Sequence, residues 1–146
     1  MDITMITILA GTASSLVMAG VIWIVQLLHY PSFHYVHGDQ FPGFHRFHTR
    51  SISYVVVPVM LLELATAIAW IFIDDLPKLI TWPSLLVVLA LWITTFSVQV
   101  PIHSRLASGK DEPLINSLVK GNWIRTLLWS IKALLGLWLV KMVFMA

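Results

Sequence analysis

Four long stretches of this chain offer water almost nothing to solvate. A helix needs about 20 mostly apolar residues to cross the hydrocarbon of a bilayer. Segments at about 3–28, 54–73, 79–102 and 123–144 meet that requirement. The first and third carry no Asp, Glu, Lys or Arg. The second carries only Glu63, and the fourth carries Arg125, Lys132 and Lys141. The rest of the 146 residues is short loops and ends. The expectation is an all-α fold, a four-helix transmembrane bundle. It forms a single integral membrane domain over residues 1–146, multi-pass in the cell membrane.

Composition supports this. Charged residues make up 11% of the chain and hydrophobic ones 58%, against roughly 25% charged in a soluble domain. Too little polar surface is left to cover a water-facing globule. With no cysteine, disulfides, thiolate ligands and a cysteine nucleophile are excluded. Nine Lys and Arg give a net charge of only +2, and no basic stripe points to nucleic acid. The bilayer itself is the first expected partner. The apolar run at the start has no basic residue before it and no small-residue cleavage site after it, so it reads as a retained span rather than a signal peptide.

Helix punctuation is plentiful. Pro31 and Pro101 are expected to end the first and third spans, and Pro83 fits a first helical turn. Pro58 is expected to kink the second span, and Gly121 to loosen the helix before the fourth. Asp39 and Asp111 are candidate N-caps. Arg46, Arg50, Arg105, Lys110, Lys120 and Arg125 lie on the side of the first and third loops, Lys78 and Lys141 on the other. The positive-inside rule then puts both termini on the non-cytoplasmic side. Trp70 and Trp82 would belong to the outer aromatic belt, and Tyr30, Tyr35, Tyr54 and Trp123 to the inner one. Gly11, Ser15 and Ala19, four residues apart, form a face that another helix can approach closely.

Ionisable residues inside a span are expensive and call for partners. Glu63 and Lys132 each lie nine residues into parallel spans, roughly 13 Å from the boundary. A lone charge there costs about 2.5–3.5 kcal/mol on insertion scales, so the two are expected to face each other inside the bundle.

Five of the six histidines, His29, His34, His37, His45 and His48, crowd into the first loop region, and His103 closes the third span. Helical phase gives every span one polar stripe. Thr12, Ser15, Ala19, Gln26 and His29 share a face, as do His45, His48, Ile52, Val59 and Glu63. Thr95, Gln99 and His103 recur by four, and Asn122, Arg125, Trp129 and Lys132 by three or four. Stripes of this kind turn inward in lipid. They would converge on a pocket at the cytoplasmic interface lined by His29, His45, His48, His103, Gln99, Asn122 and Arg125. Three readings stay open for it. One is a metal site on His29, His45, His48 and His103, suited to iron, copper or zinc. Another is a haem held by histidines of two helices. The third is a set of interfacial histidines that bond only to backbone, water or lipid headgroups, or a metal-free polar site. The candidate catalytic groups are His48, His103, Arg125, Asn122, Glu63 and Lys132. The imidazoles would hold a metal or move protons, and Arg125 and Asn122 would stabilise negative charge.

The strings HYPSF at 29–33, FPGFHRFH at 41–48, PVMLLELATA at 58–67, QVPIH at 99–103 and LVKGNWIRTLLWS at 118–130 resemble a family of small four-span bacterial integral membrane proteins of unsettled activity. More remotely, size and layout are similar to the membrane family that includes the anthrone oxygenases. That resemblance implies oxidation of a lipophilic, often aromatic, small molecule. It falls on His29, His45, His48, Glu63, Gln99, His103, Asn122 and Arg125, and fold analogy assigns them no chemistry. Two functional classes therefore stand: a membrane-embedded oxidoreductase, metal-dependent or not, or a non-catalytic accessory subunit or small transporter component. The sequence leaves a homo-oligomer open.

Overall fold

The computed structural model describes residues 2–144. These are all helix and turn, with no strand among the described residues. Four helices are long and apolar enough to cross a membrane: α1 (Ile3–Tyr35), α2 (Phe41–Ile71), α3 (Lys78–Leu106) and α4 (Glu112–Val143). Short loops join them into an up-down-up-down bundle. α1 packs against α2 and α4, and α3 packs against the same two. The chain thus runs round the corners of a square.

The helix ends follow local chemistry. Asp2 caps α1, its side chain accepting from the Met5 N–H at 2.8 Å. Asp111 caps α4 in the same way, accepting from the Leu114 N–H at 2.9 Å. Asp39 caps nothing. Its carboxylate lies 2.5 Å from His37, and α2 begins after Gln40 without a side-chain cap. Pro58 sits within α2, which runs unbroken to Ile71.

Pro31 and Pro101 end neither span. Each follows a widened, π-type turn, Val25–His29 in α1 and Thr95–Gln99 in α3. The residue before each proline closes that turn by bonding five residues back, Tyr30 N–H to the Val25 carbonyl and Val100 N–H to the Thr95 carbonyl. A proline has no N–H, and its ring crowds the carbonyl four residues earlier. Widening the preceding turn gives the ring room, so the helix continues past it. Such turns cluster at functional sites. Here they hold Gln26 and Gln99, both buried.

Two apolar clusters fill the bundle. The larger, with Met18, Ile22, Phe33, Phe41, Leu106, Leu118 and Trp129, lies toward the end formed by the first and third loops. The smaller, with Ile8, Trp70, Leu76, Ile80 and Leu139, lies toward the other end. Between them sits a polar layer containing Ser15, Glu63 and Lys132, all buried. Trp70 and Tyr30 are buried too, so neither belongs to an aromatic belt. Trp82, Tyr35, Tyr54 and Trp123 are exposed.

The small-residue face of α1 is a packing face. A Cβ on Gly11 would lie 2.5 Å from the Trp70 ring and 2.7 Å from Thr66 Oγ1. The Trp70 ring is itself packed, so it cannot give way cheaply. Gly11→Val is expected to destabilise the bundle by about 1–3 kcal/mol, the usual range for overpacking. Thermal unfolding in detergent reads this as a lowered midpoint. Gly20→Val is the control, because nothing lies within 4 Å of a Cβ there. Gly121 loosens nothing: α4 is continuous through it. A Cβ there would stand 3.6 Å from the Gln99 amide nitrogen, an ordinary contact distance, so α4 packs against the widened turn of α3 without requiring a glycine.

Candidate functional site

The inward polar stripes are confirmed. Thr12, Ser15, Gln26, His45, His48, Glu63, Gln99, Asn122, Arg125 and Lys132 are all buried, although most of the chain's outer surface is apolar. These residues do not form one pocket. They form three connected groups.

The first is a chain of imidazoles at the loop-one and loop-three end. His29 Nε2 and His48 Nδ1 are 2.5 Å apart, and His45 Nε2 and His103 Nδ1 are 3.0 Å apart. The His48 and His103 rings face each other with centroids 5.6 Å apart. The Tyr30 hydroxyl lies 3.0 Å from His103 Nε2, so both nitrogens of His103 are bonded. Each nitrogen-to-nitrogen bond needs one N–H and one bare lone pair, so the two rings of a pair share a proton along it.

That geometry does not suit the expected metal. Two imidazole nitrogens on one tetrahedral zinc stand about 3.3 Å apart, both aimed at the ion. Here the nitrogens are aimed at each other. Among the described residues, no group of three or more His, Asp or Glu is arranged to hold a metal ion. The four predicted ligands come together as two hydrogen-bonded pairs, with His48 Nε2 buried and left without a partner.

His34 and His37 stand apart. His34 bonds to Glu112, and Lys110 donates to the His34 carbonyl at 2.6 Å, tying the first loop to the third.

The second group holds Arg125. Asn122 Oδ1 accepts from its Nη1 at 3.1 Å, and Asn122 Nδ2 donates to Gln26 Oε1 at 3.0 Å. The guanidinium carbon sits 4.9 Å from the Trp129 ring centroid, within cation–π range. Asn122 is therefore a strut behind Arg125 rather than part of a cavity wall.

The third group is the polar layer. Glu63 Oε2 accepts from the Trp129 indole N–H at 2.9 Å. Lys132 donates to Ser15 Oγ at 3.2 Å, with its Nζ 4.5 Å from the Trp70 ring centroid. The expected direct pairing of Glu63 and Lys132 is absent: among the described residues, the ion pairs within 4.0 Å do not include it. Equal depth brings the two charges to one layer, but indole and hydroxyl groups take the contact positions.

A cavity of about 550 Å³ adjoins the first two groups. α2 and α3 form its sides, α1 contributes Met18, Ile22 and Tyr30, and Arg125 reaches it from α4. Its lip is lipid-facing, with Val57, Phe96 and Val100 about half exposed. Its walls are mainly apolar, and its polar end is Tyr30, His45, Gln99, His103 and Arg125. Several buried polar atoms on this wall have no protein partner: both amide atoms of Gln99, Arg125 Nε, Thr95 Oγ1 and Trp92 Nε1. Buried polar groups are normally bonded, so a cluster left open marks a place for something else. A second, shallower groove of about 330 Å³ lies between α1 and α2, against His29 and His48. The two histidine pairs thus face different grooves. Glu63, Lys132 and Asn122 line neither.

Sequence reasoning assigned Tyr30 to the membrane interface and missed it here. Its signal was present: Tyr30 is four residues after Gln26, on the same helical face. Trp92 and Thr95 also went unassigned a role at the cavity; Thr95 was on the α3 stripe, but Trp92 is apolar by composition. No family model matches this chain, and neither does any curated protein or solved structure.

Proposed function

We propose that this chain is a multi-pass cell-membrane enzyme that takes a lipophilic substrate from the bilayer between α2 and α3. It then moves a proton at the substrate's polar end with the Tyr30–His103–His45 chain. The observation that carries this reading is the cavity itself. It is apolar and open toward lipid at one end, and closed at the other by buried polar atoms without partners. A volume of 300–1,000 Å³ with a few convergent polar groups is the usual form of a small-molecule site. His103, bonded to Tyr30 on one side and His45 on the other, can take a proton from one and pass one to the other. With the positive-inside orientation, the reaction takes place near the cytoplasmic face.

The oxidation implied by the family resemblance begins with such a step when the substrate is an enolisable aromatic ketone. Losing the C–H proton leaves an electron-rich enolate. This reading routes no step through a metal.

Anthrone, a lipophilic ketone with an acidic methylene, is a suitable probe. In nanodiscs, the protein is expected to accelerate exchange of the methylene protons for deuterium over empty nanodiscs. His103→Ala is expected to lower the protein-dependent rate about 100-fold or more, the usual contribution of a general acid–base group. Tyr30→Phe, which keeps the ring and removes the hydroxyl, is expected to lower it less. No acceleration by wild-type protein would remove the enzyme reading and favour the accessory-subunit class.

A further inference from the structure

The buried charges inside the bundle do not balance. Glu63, Arg125 and Lys132 are each 5% exposed or less, formally one carboxylate against two cations. Glu63 accepts from the Trp129 indole N–H, in the layer with Lys132. Arg125 sits over the face of that indole, and its other polar neighbours, Asn122 and the Tyr30 hydroxyl, are neutral. Among the described residues, no carboxylate comes within 4.0 Å of it. Its Nε is buried and unpartnered, and its side chain lines the cavity. Beside it on the same wall is Gln99, 2% exposed, with neither amide atom bonded.

Removing a guanidinium from water without an anion is costly, and its planar fork pairs with two oxygens of a carboxylate or phosphate. We infer that the cavity's ligand is an amphiphilic anion. Its apolar body lies between α2 and α3, and its oxyanion head is paired with Arg125 and hydrogen-bonded by the Gln99 amide. The ligand supplies the negative charge that the protein lacks at this level. This deepens the proposed function and rests on its claim that the cavity takes a lipophilic molecule. It narrows the substrate class to lipophilic acids and to phenols or enols that give up their proton on binding.

The placement of Trp92 in the cavity wall provides the readout. Three probes share one chain: 11-bromoundecanoate, the corresponding amide and the corresponding alkyl phosphate. Each is titrated at pH 8 into the full-length protein in nanodiscs, and bromine quenching of tryptophan fluorescence is followed. Trp92→Phe identifies the component that comes from the cavity. The carboxylate is expected to bind saturably and at least tenfold more tightly than the amide. Arg125→Met is expected to bring that ratio to within about twofold of unity, and Arg125→Lys to keep part of it.

Saturable quenching with equal affinity for carboxylate and amide would overturn the anion inference while leaving the lipophilic cavity standing. So would a wild-type preference that persists in Arg125→Met. Tighter binding of the phosphate than the carboxylate would move the oxyanion from an acid to a phosphate ester and overturn the substrate class. No saturable Trp92 quenching by any probe would remove the cavity reading and this inference together. Should Arg125→Met fail to fold, Gln99→Leu serves instead. It keeps the charge and removes the amide, and is expected to weaken carboxylate binding several-fold.

Discussion

Glu63→Gln is expected to destabilise the bundle more than any other single isosteric change in the polar layer. The glutamine keeps the size of the side chain and an oxygen to accept from the Trp129 indole N–H, which lies 2.9 Å from Glu63 Oε2 in the wild type. The charge is lost, and one acceptor oxygen becomes an NH2 donor. That leaves the buried Lys132 without the carboxylate of its own layer. Breaking a directly bonded buried pair costs about 3–5 kcal/mol; Glu63 and Lys132 are not in direct contact, so the expected loss is about 1–3 kcal/mol, that of a buried polar group left unsatisfied. Glu63→Gln combined with Lys132→Met should be more stable than Glu63→Gln alone, because the uncompensated ammonium leaves with the lysine. Thermal unfolding of the wild type, both single variants and the double variant in one detergent completes the cycle. A coupling below about 0.5 kcal/mol, the level at which independent sites add, would mean that the two charges do not sense each other. An unchanged midpoint for Glu63→Gln would mean that the carboxylate's charge contributes nothing to the bundle.

The cycle also shows what the sequence could and could not specify. The depth of Glu63 and Lys132 was legible because rise per residue is fixed in a helix, and both residues occupy one layer between the two apolar clusters. Which atom each one touches was not legible. Depth says nothing of the gap between α2 and α4, and Trp129 and Ser15 fill the positions that direct contact would have taken. The inward stripes were legible for the same reason as the spans. Hydrocarbon rejects polar groups, so residues such as Asn122, Arg125 and Lys132 at three- and four-residue spacing have one face available to them. The gathering of His29, His45, His48 and His103 followed from those stripes. The direction in which each ring nitrogen points did not, and among the described residues no ligand set for a metal is formed. The polar end of the cavity was legible in part, since His45, Gln99, His103 and Arg125 all belonged to the expected pocket lining; its apolar body was not. It depends on how α2 and α3 stand apart, which tertiary packing sets and no local pattern records.

Pro31 and Pro101 are the clearest case of a local rule overridden. Proline is read as a terminator because it breaks the bonding of a regular turn. One widened turn before each restores a continuous helix and alters the phase of everything after it. A helix advances about 100° per residue, so Thr95–Gln99 sets the azimuth of His103 relative to the rest of α3. Deleting Val98, with Pro101→Ala to relieve the ring, should return α3 to regular α-helical bonding and turn the segment from Val100 to Leu106 by about that angle. His103 would then leave both Tyr30 and His45, which bond it at 3.0 Å each, and the polar end of the cavity would open. Saturable binding of 11-bromoundecanoate and anthrone proton exchange are both expected to fall by more than about 100-fold, the size of an acid–base contribution alone. Pro101→Ala without the deletion keeps the residue count, hence the widened turn, and should retain both activities within a few-fold. Adding one alanine to the third loop after Ala107 should also be tolerated, since loop length changes little in closure entropy and leaves the phase of α3 intact. Retention of binding and exchange in the deletion variant would show that the site does not depend on the widened turn, and that its coincidence with Gln99 has no functional weight.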